Sequence, residues 1–209
     1  YIMSLNLIHQ VNFTKNPVIF DVGCTICHPD LEDFTGHCLN IFGECKVYGF
    51  EPIKWQSYEE KYKNDSRVTL IKEVLSDTSG EFPFYTFTSE TGISSMFNRE
   101  VFSTCHDLVE TKVDSNTIDG FCKKINIHEI DYLKIDTEGS EYKILIGAQE
   151  MLNDRKIKNV QVEFNESCSV KDAGFTWNEL EGLLNKFGLF CVTKNHDDYL
   201  FTMKESNNE

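Results

Sequence analysis

No apolar run in the 209 residues approaches the ~20 residues a membrane-spanning helix needs, and the N-terminus lacks the basic-then-apolar pattern of a secretory signal. No repeat, linker or low-complexity block divides the chain, so one domain of ordinary size is expected. Positive charge is scarce: 20 Lys plus Arg face 34 Asp plus Glu, a formal net charge of −14. Repulsion from phosphate backbones argues against nucleic acid as a partner, and anionic membrane surfaces are disfavoured for the same reason. A neutral or cationic small molecule fits better. There is no Gly-x-Gly-x-x-Gly fingerprint and no Walker lysine, so a pyrophosphate or triphosphate cradle lacks support. What the chain does have, 40% apolar and 12% aromatic residues, is a globular composition.

Eight cysteines, Cys24, Cys27, Cys38, Cys45, Cys105, Cys122, Cys168 and Cys191, follow no disulfide-framework spacing. This usage points to reduced thiols and a cytoplasmic, intracellular setting. Cys24-Thr-Ile-Cys27-His28 matches the c-type haem attachment pattern, and with Cys38 it offers four zinc-type ligands. Because it directly follows an apolar strand, thiols in a strand-to-helix turn are the simpler expectation. The chain opens at Tyr1 with no initiating methionine, as an excised domain of a larger chain or a processed chain would.

Residues 1–16 read as a leading helix or arm, 17–204 as a single domain and 205–209 as a polar tail. Strands are expected at Val18–Gly23, Lys46–Glu51 and Val68–Val74, separated by helices at Asp33–Phe42 and Trp55–Lys63. Such alternation predicts parallel βαβ units, an α/β sheet covered by helices on both faces. The middle breaks this rhythm. Glu81–Thr88 alternates like a strand, and Pro83 marks it as an edge. Thr91–Phe97 is a polar loop of the kind that lines sites. A strand at Val109–Val113 precedes a helix at Thr117–Lys124, capped by Ser115 or Asn116. Tyr132–Ile135 is a short apolar strand, followed by a helix from Glu141 to Met151 with Ser140 as its N-cap. A strand at Lys158–Phe164, an amphipathic helix at Trp177–Phe187 and a hairpin through Asn195–Asp198 complete the chain.

Four strand ends carry acids: Asp21, Glu51, Asp136 and Glu163. In an open parallel sheet all four face one rim, where ligands bind beyond the carboxyl ends of the strands. An acid at the end of the second strand can accept hydrogen bonds from both hydroxyls of a ribose. Gly23 lets backbone approach such a ligand closely. A cofactor with ribose but no phosphate suits an acid-lined rim, and S-adenosylmethionine, with its positive sulfonium, is one.

Ile19-Phe-Asp-Val-Gly23, Tyr48-Gly-Phe-Glu-Pro52, Val74-Leu-Ser-Asp77 with Gly80, and Leu133-Lys-Ile-Asp-Thr-Glu-Gly-Ser-Glu141 fall in the order and spacing of FkbM-type methyltransferases. Ile146-Gly-Ala148 and Val162-Glu-Phe164 extend the resemblance over roughly residues 17–165. It implies a class I, Rossmann-like methyltransferase fold with a mostly parallel seven-stranded sheet whose last strand is antiparallel. It also implies S-adenosylmethionine-dependent O-methylation of a hydroxyl on a small-molecule or glycan acceptor, often a sugar or glycoside. Carried over, Asp21, Gly23, Glu51, Pro52, Ser76 and Asp77 would bind the cofactor, Asp77 near the adenine. Asp136 would lie between donor and acceptor, with Glu138 positioning the acceptor. Asp136 and Glu163 would serve as base groups or as hard oxygen ligands for Mg²⁺ or Mn²⁺. The family follows Asp-Val-Gly with Ala-Asn, a variable residue and a second glycine; here Cys24-Thr25-Ile26-Cys27 replaces them. Two other readings follow: a catalytically inactive methyltransferase-like binding module, and an NAD-dependent oxidoreductase using Glu51 without the glycine fingerprint.

Overall fold

The computed structural model describes residues 4–13, 15–26, 32–87, 94–98, 108–165 and 173–204. A 3₁₀ helix (Ser4–Gln10) leads into β1 (Val18–Val22), α1 (Phe34–Ile41), β2 (Lys46–Phe50), α2 (Gln56–Tyr62) and β3 (Val68–Ile71). The middle holds β4 (Val74–Leu75), β5 (Gly80–Phe87), β6 (Ser94–Ser95) and β7 (Leu108–Asn116). Then come α3 (Ile118–Ile125), β8 (Tyr132–Ile135), α4 (Glu141–Ile146), α5 (Gln149–Asn153) and β9 (Asn159–Glu163). The chain closes with α6 (Trp177–Lys186), β10 (Leu189–Asn195) and β11 (Asp198–Met203).

Seven strands form the main sheet in the order β10-β11-β9-β8-β1-β2-β3. β3, β2, β1, β8 and β9 pair parallel, while β11 runs antiparallel to both β9 and β10. Period-two alternation sorts the core strands onto two faces. Phe20, Val22, Leu133, Ile135, Val160 and Val162 pack with α3, α4, α5 and α6 through Phe121, Ile144, Leu152 and Leu184. Ile19, Val47, Tyr132 and Leu200 pack on the other side with Leu7 and Ile8 of the leading helix and Phe34 and Cys38 of α1. Fully burying each such side chain stabilises the fold by about 1.5–3 kcal/mol.

The departures from sequence expectation lie in the middle, where four short strands form a second sheet, β4-β7-β5-β6. The strand expected at Val68–Val74 is two: β3 stays in the main sheet, and beyond Lys72-Glu73 the chain enters β4, where Val74 pairs with Ser115. β5 is not an edge strand, since β7 pairs with it along its whole length and β6 covers its far end. β6 pairs only at Tyr85 and Thr86, so Pro83 has a strand partner on one side alone, Lys112 of β7. The cap of α3 is Thr117, whose hydroxyl accepts from Gly120 N.

The helix expected at Glu141–Met151 breaks at Gly147-Ala148. Gly147 O accepts from Asp119 N instead of continuing the helix, and the Asp119 carboxylate caps α5 by accepting from Glu150 N and Met151 N. Gly147 is obligatory for a second reason: a Cβ there would collide with the Ser76 carbonyl oxygen. Tyr58 and Tyr62 are buried packing groups of α2, and Trp55 lies under Lys72, whose Nζ is 3.2 Å from the ring centroid.

Candidate active site

The parallel register places acids and one lysine in two rows at the carboxyl end of the main sheet. In the lower row Asp21 of β1 pairs with Lys134 of β8, and Lys134 with Gln161 of β9. Lys134 is only 5% exposed, the one buried lysine or arginine among the described residues. Its Nζ donates to Asp136 Oδ2 at 3.0 Å and lies 3.8 Å from Asp21 Oδ1. Asp21 Oδ2 accepts from the Thr35 hydroxyl of α1 at 2.8 Å. Burial pushes the Asp21 carboxyl up to about 6, against the downward pull of Lys134.

One step further along the strands lies the upper row. Ile135 pairs with Val162, so Asp136 and Glu163 stand side by side, and Glu163 pairs with Asp198 of β11. The negative charge of Asp136, then burial, then Glu138, Glu141 and Asp198 hold the Glu163 carboxyl far up, at about 10. Glu163 therefore keeps its proton at neutral pH. Gln161 reaches up from the lower row: it accepts from Tyr132 OH and donates to Asp198 Oδ1, both at 2.8 Å.

The turn after β8 is held from within. Glu138 and Gly139 both have positive φ, 57° and 114°. Glu141 folds back so that one oxygen, Oε1, accepts from Thr137 N, Thr137 Oγ1 and Gly139 N at 3.0–3.1 Å. Ser95 of the small sheet donates its hydroxyl to Glu138 O at 2.9 Å, pinning this turn to β6. Glu141 is buried, and that burial raises its carboxyl to about 7 despite these hydrogen bonds. A Glu raised from about 4.5 to about 7 gives full stability below pH 4.5 and loses it as pH rises towards 7. The difference in unfolding free energy between Glu141→Gln and the parent is therefore expected to move in the variant's favour from pH 4.5 to 7, by about 1.4 kcal/mol per unit. Urea unfolding at pH 5 and pH 8 measures this, and a difference equal at both pH values would refute it.

Glu51 leaves β2 with its Oε1 accepting from Ile53 N and Lys54 N, and its Oε2 accepting from Thr25 Oγ1 at 2.6 Å. A carboxylate offers about four lone-pair sites, so Oε2 retains one for a ligand. The cleft between the two sheets has an apolar wall of Val22, Phe50, Val74, Leu75, Phe84 and Met96. Its polar lining includes Thr25, Glu51, Asp136, Thr137, Glu138, Ser94 and Ser140.

Of the residues expected at the site, Gly23, Glu51, Pro52, Asp136 and Glu138 line this cleft together. Asp21 does not; it is 2% exposed and lies beneath the rim as a charge partner of Lys134. Ser76 is fully buried, bonded through N to Asn116 O, and its hydroxyl donates to Asp77 at 3.0 Å. Neither Ser76, Asp77 nor Glu163 is among the cleft-lining residues. The sequence reading assigns no site role to Thr25 or Lys134. For Lys134 the signal was a lysine inside an apolar strand two residues before an acid. Cys27 and His28 lie outside the described residues. Cys24 and Cys38 are buried, and burial pushes both thiols well up. Among the described residues no group of three or more His, Cys, Asp or Glu is placed to hold a metal ion, and Lys134 already engages Asp136. No described helix is long and apolar enough to cross a membrane.

A strand order with one antiparallel strand next to the edge, a glycine turn after β1 and an acid after β2 define a class I methyltransferase fold. The Methyltransferase FkbM domain profile matches residues 24–189. The chain belongs to the FkbM methyltransferase family, for which S-adenosylmethionine is the methyl donor. Among solved structures it is similar to a methyltransferase FkbM from Methylobacillus flagellatus KT, at 17% identity and a TM-score of 0.57. That match covers 93% of this chain and 45% of the other, so this chain spans less than half the length of that protein. A TehB-like SAM-dependent methyltransferase from Corynebacterium glutamicum matches at 12% identity and a TM-score of 0.46, covering 96% and 87% of the two chains. A precorrin-6y C5,15-methyltransferase from Geobacter metallireducens matches at 13% and 0.44, covering 96% and 83%. No curated protein sequence matches the chain.

Proposed function

We propose that this chain is an S-adenosylmethionine-dependent O-methyltransferase acting on a hydroxyl of a sugar or glycoside. The observation that carries the cofactor half is the convergence of Glu51 and Asp136 on one cleft with an apolar wall. The residues present fit S-adenosylmethionine. Glu51 offers an acceptor to ribose, Phe50, Val74 and Leu75 suit a purine, and the acidic rim suits a sulfonium. When bound, the cofactor supplies an electrophilic methyl group. A sugar hydroxyl is a weak nucleophile that needs alignment and a base. Asp136 takes that proton, because it lines the cleft where Glu163 does not. Lys134 orients Asp136 from below, Glu138 faces the acceptor, and Phe84 of the small sheet, with Met96 just after β6, keeps water from the reacting groups. The net charge of −14 favours an acceptor that is neutral or cationic.

A metal-assisted route through Asp136 and Glu163 fits less well. Lys134 donates to Asp136 Oδ2, and among the described residues no group of three or more His, Cys, Asp or Glu is placed to hold an ion, so no step is routed through a metal. Buried unbridged thiols at Cys24, Cys38, Cys45 and Cys122 support the intracellular setting.

Isothermal titration of S-adenosylhomocysteine on the parent and Glu51→Ala tests the proposal. Micromolar binding is expected, weakened about 10–100-fold by the loss of a charged acceptor. Mass-spectrometric detection of methyl transfer to a panel of free sugars and glycosides then tests the acceptor class. The inactive-module reading has one observation in its favour, the Thr25 hydroxyl occupying Glu51 Oε2. Absence of any S-adenosylhomocysteine binding would make it the better one.

A further inference from the structure

Outside the residues that line the cleft, His9 of the leading helix meets His37 of α1. Their Nε2 atoms are 3.0 Å apart, the ring centroids 5.0 Å apart and the ring planes at 87°. His37 Nδ1 is 2.8 Å from Glu32 Oε2, and Asn40 Nδ2 donates to Glu32 Oε1 at 2.5 Å.

The tautomer follows from the partners. An ionised carboxylate only accepts, so His37 carries its proton on Nδ1 and, when neutral, presents a lone pair at Nε2. That lone pair points towards the Nε2 of His9, which donates its proton to it. Two imidazole nitrogens bound to one ion at ≈ 2.0–2.1 Å stand about 2.9–3.4 Å apart, so the observed separation already suits a shared ion. A carboxylate on the other ring nitrogen is the partner that metal-ligating histidines characteristically have, because it fixes ring orientation and raises ligand basicity. Asn40 in turn fixes Glu32. The chain Asn40–Glu32–His37 thus aims one nitrogen at a second nitrogen with no role in the proposed methyl transfer.

We propose that His9 and His37 form a two-imidazole site for Zn²⁺ or another imidazole-preferring divalent ion such as Ni²⁺ or Cu²⁺. Water completes the coordination, since no third described side chain does. The side chain of His37 is 15% exposed and His9 is exposed, so the ion reaches the site from solvent. Binding would clip the leading helix to α1. That helix contributes Leu7 and Ile8, each 1% exposed, to the core face it shares with Ile19, Val47 and Tyr132. An ion held only by the folded chain stabilises it by mass action.

The test is a titration of ZnCl₂ into the parent, His9→Ala, His37→Ala and Glu32→Gln, followed by calorimetry and by thermal unfolding. The parent is expected to bind one ion at this site with a rise in Tm of several degrees. Removing either histidine should weaken binding at least tenfold and abolish the rise; Glu32→Gln should weaken it about 10–100-fold. Circular dichroism verifies folding of His9→Ala, whose replaced side chain is exposed. Absence of binding in the parent, or unchanged affinity in folded His9→Ala, overturns the proposal; the latter would assign the ion to thiols or to the carboxylate rim.

Discussion

Lys134→Met is expected to destabilise the protein by about 3–5 kcal/mol at pH 7, because it strips a buried cation from the Asp21 carboxylate, which stays buried. The deficit should depend on pH in a defined direction. Lys134 is the main pull lowering the Asp21 carboxyl, which burial already raises to about 6. Without that pull, the folded-state value rises further above the unfolded 3.8. A carboxyl raised in this way gives full stability below its unfolded value and loses it as pH climbs through its folded value. The gap between parent and variant should therefore be small near pH 4 and widest above pH 7. Urea unfolding across pH 4–8 reads it directly. A gap that is equal at both ends would mean that Lys134 contributes packing through its aliphatic stem and not charge compensation. Activity should fall as well, since Asp136 loses the donor that orients it.

Gly23→Ala should be the most damaging small substitution at the rim. Gly23 has φ +86°, and a Cβ built there would collide with the carbonyl oxygen of Asp136. Left-handed backbone costs a non-glycine residue roughly 1–2 kcal/mol, and forcing an atom into a packed interior adds about 1–3 kcal/mol. The collision is with backbone, so no rotamer change relieves it; β1 and β8 must part at the place where Asp136 N donates to Val22 O at 3.0 Å. A loss of roughly 2–5 kcal/mol together with at least tenfold weaker S-adenosylhomocysteine binding is expected. Calorimetry and thermal unfolding on one sample give both. An unaffected Tm would show that the two turns separate easily, contrary to the packing observed.

The parallel core was legible in the sequence because it follows simple rules. Val18–Val22, Lys46–Phe50 and Tyr132–Ile135 are apolar runs with acids at their exits, and alternation with helices dictates parallel pairing. The small sheet was less legible. Its strands pair across long separations, and period-two patterning in Gly80–Phe87 cannot reveal whether a partner lies on one side or both. The helix break at Gly147 was hidden because its cause, the Asp119 side chain, lies in another helix. At the rim, the acids could be named from position alone. Sequence position could not distinguish Asp136, which faces the cleft, from Asp21, which is buried under it. Both end strands, and only the register of Asp21 with Lys134 separates the counterion layer from the lining.

The protonated Glu163 has a consequence for how the molecule is weighed electrically. The formal charge of −14 counts every acid as ionised. In the folded state Glu163 is neutral at pH 7, and Glu141, at about 7, is only partly ionised. The unfolded chain, with ordinary carboxylates, holds neither proton. Folding at neutral pH therefore captures protons from solution. The heat of unfolding measured at pH 7 will include the ionisation enthalpy of whichever buffer receives them.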